Sequence, residues 1–234
     1  VTINYSRSGT EARDVAAACK AAGGDAIVVR GDVSSDADCR ELAATTLAAW
    51  GRIDGLINNA GMTMFVQHAD LDGLDAADFQ RIFAVNVIGP FQMIRAVAKT
   101  MQAQGRGAVV NISSIAGSMG DGSSVAYAAS KGALNTMTLS LARALAPAIR
   151  VNTVCPGLVD TRWGRDALGD AAFETRQQVY AAGAPLRSVV SADDVADATI
   201  WLLESAAKVT GELITVDSGW HLGPAAMSKR EPPQ

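Results

Sequence analysis

Histidine is nearly absent: only His68 and His221 occur in 234 residues. A histidine-based catalytic triad or a His-rich metal site needs more than that. Cysteine is scarce and odd in number. Cys19, Cys39 and Cys155 show no metal-ligand spacing, so no metal is expected. They read as reduced, mostly buried thiols of a cytoplasmic protein. The net charge is −4 and no cluster of Lys and Arg stands out, which argues against a nucleic-acid partner. No apolar run reaches the length that spans a bilayer, and the opening residues carry no signal-peptide pattern, so no membrane partner is expected.

What is present suits one sizeable core. The length fits a single domain over residues 1–234, and 49% hydrophobic against 19% charged residues fits a buried sheet under helices. Short β-branched runs recur at 1–4, 26–30, 55–58, 108–113, 149–156 and 212–217. Helical patterns near 10–22, 36–50, 76–103, 124–146 and 192–204 lie between most of them. The last opens on Ser191-Ala-Asp-Asp194, an N-cap with an acid three residues on. Alternating strand and helix predict an α/β, Rossmann-type doubly wound parallel sheet with helices on both faces. The tail at 224–234 is polar and proline-rich, which places it at the surface or at a subunit contact.

Tyr127 and Lys131 stand four residues apart, hence one turn apart on one helix face. A free phenol has a pKa of about 10, and an ammonium beside it is expected to lower that value. The pair alone is a moderate signal that chance can also supply, and its surroundings strengthen it. Tyr127, Lys131, Leu134, Thr138, Leu141 and Leu145 step by three and four, so the lysine sits on a largely apolar stripe. Asn86 interrupts a second stripe: Phe79, Phe83, Asn86, Pro90, Ile94, Val97 and Met101. It reads either as a functional amide or as a core residue at a kink set by Pro90. Ser114, at the end of VVNISS, adds a hydroxyl that can hold a reacting oxygen.

These motifs, in this order, are the basis of a family resemblance. Asp32-Val33 follows a strand, NNAG occupies 58–61, Asn86 lies in a helix, and Ser114, Tyr127-x-x-x-Lys131, Pro156-Gly157 and Thr161 follow. The chain resembles the short-chain dehydrogenase/reductase family, in its short single-domain branch, over essentially its whole length. The resemblance implies a ketone–alcohol oxidoreductase. Tyr127 is then the acid/base, and Lys131 lowers its pKa and holds the nicotinamide ribose. Ser114 orients the substrate oxygen, and Asn86 holds a water linking Lys131 to solvent. Asp32 and Val33 would meet the adenine, and Asn59, Ala60 and Gly61 the dinucleotide. Pro156, Gly157, Val159 and Thr161 would border the nicotinamide; Thr161 also reads as a loop N-cap. The family further implies a homotetramer or homodimer built through the helices near 76–103 and 124–146.

One family element is missing. No T-G-x-x-x-G-x-G turn occurs, and the chain opens on Val1, inside what reads as the second strand. The expectation is a further βα unit of about 30 residues upstream, its strand lying between those at 1–4 and 55–58. The segment VTINYSRSG holds no acid through Gly9 to meet a ribose 2′-hydroxyl. Ser6 and Arg7 could instead receive a 2′-phosphate, which favours NADP(H) while NAD(H) stays open.

Residues 160–190 are expected to form the mobile cover over the substrate. Trp163, Tyr180 and Met119 could line an apolar pocket, and Arg162 and Arg165 could meet an acidic group. A small or medium apolar ketone is the central expectation for the substrate, and a 3-oxoacyl thioester the named alternative. A non-catalytic nucleotide-binding regulator is the competing class, disfavoured because it has no use for Ser114, Tyr127 and Lys131 together. An extended-branch epimerase or dehydratase wants a larger C-terminal domain than this chain has.

Overall fold

Among the described residues six short parallel strands fall into two sheets. The computed structural model describes residues 1–223; the tail at 224–234, expected at the surface or a subunit contact, lies outside the described residues. Strand β1 (Thr2–Tyr5) pairs with β2 (Ile27–Arg30), and β3 (Gly55–Asn58), β4 (Gly107–Ile112), β5 (Ile149–Pro156) and β6 (Leu213–Val216) form the second sheet in that order. All pairings are parallel, because a helix crosses between successive strands. The doubly wound arrangement is as expected, but the sheet is not continuous. Among the described residues no ladder joins β1 to β3. The break falls where the sequence reading places a further strand, and it leaves Ile57 of β3 48% exposed.

The two pieces are held together by helices. Helix α1 (Gly9–Ala21) packs on β1 and β2, and α2 (Asp36–Trp50) follows β2. Asp36 and Asp38 in the first turn of α2 suit the positive end of its dipole. Helix α2 then packs on α4 (Gly89–Ala103), and Ala43 and Ile53 join Ile94, Val97, Met101 and Val109 in one core. Gln92 donates to Val33 O at 3.0 Å, and Arg95 pairs with Asp36. Gly89 is required here, since a Cβ would sit 2.9 Å from the Val33 side chain.

Helix α3 (Ala76–Phe83) runs into α4 through one π-helical turn, Ala84–Ile88. Pro90 has no N–H to give, so a carbonyl one turn earlier loses its helix donor and the backbone widens there. An 18-residue window of the continuous helix Ala76–Ala103 has a mean hydropathy of 1.2, long and apolar enough to cross a membrane by length and composition alone. Its inward face nonetheless carries buried Asp78, Asn86 and Gln92, each hydrogen bonded.

A buried polar ladder fixes the register of the second sheet against α6 (Val125–Leu145). Asn58 donates to Asn111 at 2.8 Å, Asn111 to Thr138 at 2.9 Å, and Thr138 meets Thr153 at 2.7 Å. With Thr138 donating to Leu134 O, Thr153 donates to Thr138 and no hydroxyl is left over. The segment at 160–190, read only as a cover, contains α7 (Arg162–Leu168) and α8 (Asp170–Gly183), followed by α9 (Ala192–Glu204) with its Ser191–Asp194 capping box. Replacing Asn111 by Ala removes two buried hydrogen bonds and strands the Asn58 amide, while Thr138 keeps Leu134 O and Thr153, and should cost about 2–4 kcal/mol in urea unfolding. A cost near zero would show that the ladder does not hold the sheet.

Candidate active site

Strand β4 ends at Ile112, and the chain turns through Ser113 and Ser114 into the short helix α5 (Ala116–Met119). This turn lies against α6 at a backbone contact. A Cβ on Gly117 would sit 2.6 Å from the Lys131 backbone, and Gly132 faces Gly117 O in return. Only glycines allow that approach, and it brings Ser114 beside Tyr127. Ser124 caps the start of α6 by accepting from Tyr127 N at 3.3 Å. The stripe read from the sequence is real: Tyr127, Lys131, Leu134 and Thr138 are all buried.

The electrostatics differ from the sequence expectation. Lys131 Nζ donates to Ile112 O at 2.8 Å and lies 5.6 Å from the centre of the Tyr127 ring. It does not lower the phenol. Burial pushes Tyr127 up to about 12, with the Ser114 hydroxyl pulling it back. Burial also pushes Lys131 down to about 8, against a small opposing pull from Cys155. Both groups are therefore drawn toward their neutral forms, because a low-dielectric site penalises either charge.

Asn86 is fully buried in the π-helical turn. Its Nδ2 donates to Met62 O and to Ser130 Oγ, both at 2.9 Å, and its Oδ1 accepts from Met62 N at 2.8 Å. The amide therefore clasps the loop after β3 to α6 and touches neither Tyr127 nor Lys131.

A cavity of about 550 Å³ opens over this group. Ser114, Tyr127, Asn59, Pro156, Gly157, Val159 and Thr161 line it, as the sequence reading placed them together. Asn86, Lys131, Ala60 and Gly61 lie outside its lining; Gly61 sits beside Asn86 Oδ1 and Trp163. Trp163 and Tyr180 line the cavity as expected, whereas Met119 does not. Trp163 stands edge-on to Tyr127 with centroids 6.1 Å apart. Tyr180 stacks on Trp220 at 4.5 Å and donates to Asp217 O at 2.7 Å. Thr161 stands at the N-cap position of α7, as the loop N-cap reading has it, but makes no side-chain capping bond, so its hydroxyl is left to the cavity. Arg162 and Arg165 are already paired, with Glu11 and Asp166 and with Asp160, Asp170 and Glu174, which corrects their expected role against an acidic ligand.

A second cavity of about 430 Å³ lies at the ends of β1 and β2. Ser6, Arg7 and Asp32 line it, joined by Arg30, Gly31 and Asp38, which the sequence reading missed. Arg30 closes a strand and Asp38 opens a helix, positions that gave no separate signal. Neither Arg7 nor Arg30 has an ion-pair partner among the described residues. Asp32 accepts from Ser34 N and Oγ at 2.9 and 2.7 Å, while Val33 is turned against Gly89.

A family model described as enoyl-(acyl carrier protein) reductase matches residues 1–221. The chain belongs to the short-chain dehydrogenase/reductase family. Within that family it is 41% identical over 224 residues to a candidate ketoacyl reductase 2 of the granaticin polyketide synthase from Streptomyces violaceoruber, covering 95% of this chain and 86% of that protein. A candidate short-chain dehydrogenase/reductase from Burkholderia xenovorans superposes with TM-score 0.86 at 40% identity, over 95% of this chain and 88% of the other. A gluconate 5-dehydrogenase from Burkholderia cenocepacia, solved with NADP and tartrate, gives 0.82 at 29% identity, over 94% and 85%. The protein is accordingly an NAD(P)(H)-dependent oxidoreductase of ketones and secondary alcohols.

The lowered Lys131 has a thermodynamic consequence. Between about pH 8 and the ordinary lysine value the unfolded chain holds a proton that the folded one has released, so this group makes stability rise with pH. Cys39 and Cys155, each raised to about 11, act in the opposite sense above their ordinary value of 9.0. The stability of wild type minus that of Lys131→Met should therefore climb from pH 8 to 10 in urea titrations. A flat difference would place the ammonium in solvent.

Proposed function

We propose that the protein interconverts a ketone and a secondary alcohol with Tyr127 as the group that exchanges the proton, and with NADP(H) favoured over NAD(H). The observation that carries the reading is the meeting of Ser114 and Tyr127 on one cavity wall, with Lys131 buried beneath them. A phenol raised to about 12 is protonated at neutral pH and so is ready to give its proton to a carbonyl oxygen. Ser114 Oγ holds that oxygen as its charge changes. Asn86 acts as a positioning residue, keeping the loop at Met62 against α6.

The residues present fit a nicotinamide dinucleotide. Lys131 is a buried ammonium with Ile112 O as its one acceptor among the described residues, which leaves donors for ribose hydroxyls. Pro156, Gly157, Val159 and Thr161 would border the nicotinamide, and Asn59, Ala60 and Gly61 the dinucleotide backbone. Asp32 and Val33 would meet the adenine, the Asp32 carboxylate keeping one oxygen free of Ser34. The cofactor, when bound, supplies or accepts the hydride. The preference for NADP rests on Arg7, now joined by Arg30 in the same cavity beside Ser6.

The apolar cavity wall supports a small or medium apolar ketone as substrate. The likeness to a candidate ketoacyl reductase supports the second reading, a 3-oxoacyl thioester. Exposed Ile88, Phe91 and Val125 on α4, its preceding turn and α6 support a homodimer or homotetramer. The unpaired thiols support a reducing, cytoplasmic setting.

Tyr127→Phe should lower kcat for ketone reduction by about 10²–10⁴-fold while the fold survives by circular dichroism. Retained turnover would remove the central claim. Arg7→Ala should raise KM for NADPH about 10-fold or more and leave that for NADH unchanged. An equal rise for both would count against a phosphate contact.

A further inference from the structure

The covering helix α8 presents one face to the 550 Å³ cavity: Phe173, Arg176 and Tyr180 step by three and four and all line it. Phe173 and Tyr180 are buried there, as an inward stripe requires. Arg176 between them is exposed to solvent while it contributes to the cavity lining. Outside that lining, Arg165 is paired with Asp160, Asp170 and Glu174, and Arg162 with Glu11 and Asp166. Arg176 has no ion pair or hydrogen bond among the described residues. Among the described residues it is also the sole cation in the cavity lining.

Among the described residues Asp121 is the one acid in the same lining, in the loop before α6; the Tyr180 phenol, raised chiefly by burial, is raised a little further by Asp217 and Asp121. The rest of the wall is chiefly apolar, with Phe65, Leu158, Leu168 and Val179 among its members. Such a cavity suits a ligand with an apolar body and a charged end. A guanidinium offers a planar fork of donors that matches a carboxylate or phosphate in two parallel bonds. The reacting oxygen belongs at Ser114 and Tyr127, so the charged end belongs at α8.

We infer that Arg176 is a specificity-determining residue, and that the substrate is a keto or hydroxy compound with an apolar body ending in a carboxylate or phosphate. This rests on the reading of Ser114 and Tyr127 as the reacting end. It selects among ketones, which that reading leaves open.

The test uses a series of keto acids from 4-oxopentanoate to 8-oxononanoate, their methyl esters, and ω-amino ketones of matching length. Turnover is followed with NADPH. Binding is followed separately by quenching of tryptophan fluorescence, since Trp163 and Trp220 line the cavity. Wild type should favour the best-fitting acid over its ester by about 10-fold or more in kcat/KM and in affinity. Arg176→Gln should erase that preference through KM, with kcat for the esters unchanged, and Arg176→Lys should restore part of it. Arg143→Gln, on the last turn of α6, should leave it intact. Esters bound as well as acids by wild type would overturn the inference, as would an equal loss for both in Arg176→Gln. Preference for the amines would also overturn it and move recognition to Asp121. If Tyr127→Phe still binds acids selectively, the inference stands on binding alone; if that variant also turns ketones over, the reading of the reacting end fails by itself.

Discussion

Two backbones touch where α5 meets α6, and the geometry of the cavity depends on that contact. Gly117 lies against the peptide of Lys131 and Gly132 with no space for a side chain on either partner. Because α5 follows closely on β4, the contact ties the end of the second sheet to α6 about two turns from its start. Ser114 and Tyr127 come from different elements, yet their separation is set by this single van der Waals meeting. The Asn111–Thr138–Thr153 ladder repeats the constraint two turns further along α6. Between the two fixings, Lys131 has nowhere to go except inward, toward the Ile112 carbonyl.

That placement changes what the lysine does. A solvated ammonium one turn from a phenol would favour the phenolate. Here the ammonium is buried with the phenol, and desolvation dominates both. Each group resists its charged form, which suits an exchange in which the proton passes without a stable ion pair forming. The glycines that force the burial thus act on the chemistry at one remove, through the dielectric surroundings of the pair.

Much of the fold was legible because strand and helix patterns alternate cleanly. Strand β5 and helices α2 and α9 fall at their expected bounds, since β-branched runs and caps such as Ser191–Asp194 are local signals. Ser114, Tyr127, Asn59, Pro156, Gly157, Val159 and Thr161 were readable as one site, and the cavity brings them together. Helices α7 and α8 were not legible: Gly164 and Gly169 interrupt the segment and its apolar residues are few. Phe173 and Tyr180, one stripe apart, were the available signal. The pKa directions were also out of reach, because spacing shows which groups are near but not how far water is excluded. Arg30 and Asp38 belong to elements whose ends meet only in three dimensions.

The cover over the cavity is fastened unequally. Its far end is riveted to the close of the chain: Tyr180 lies flat on Trp220 and bonds to Asp217 O, and Leu186 N donates to Ser218 O at 3.0 Å. Its near end is fastened to α1 by the Arg162–Glu11 pair, which is half open to solvent and so contributes little. The lightly latched edge carries Trp163, which is 47% exposed and stands edge-on to Tyr127, so the ring that packs on the phenol also meets solvent.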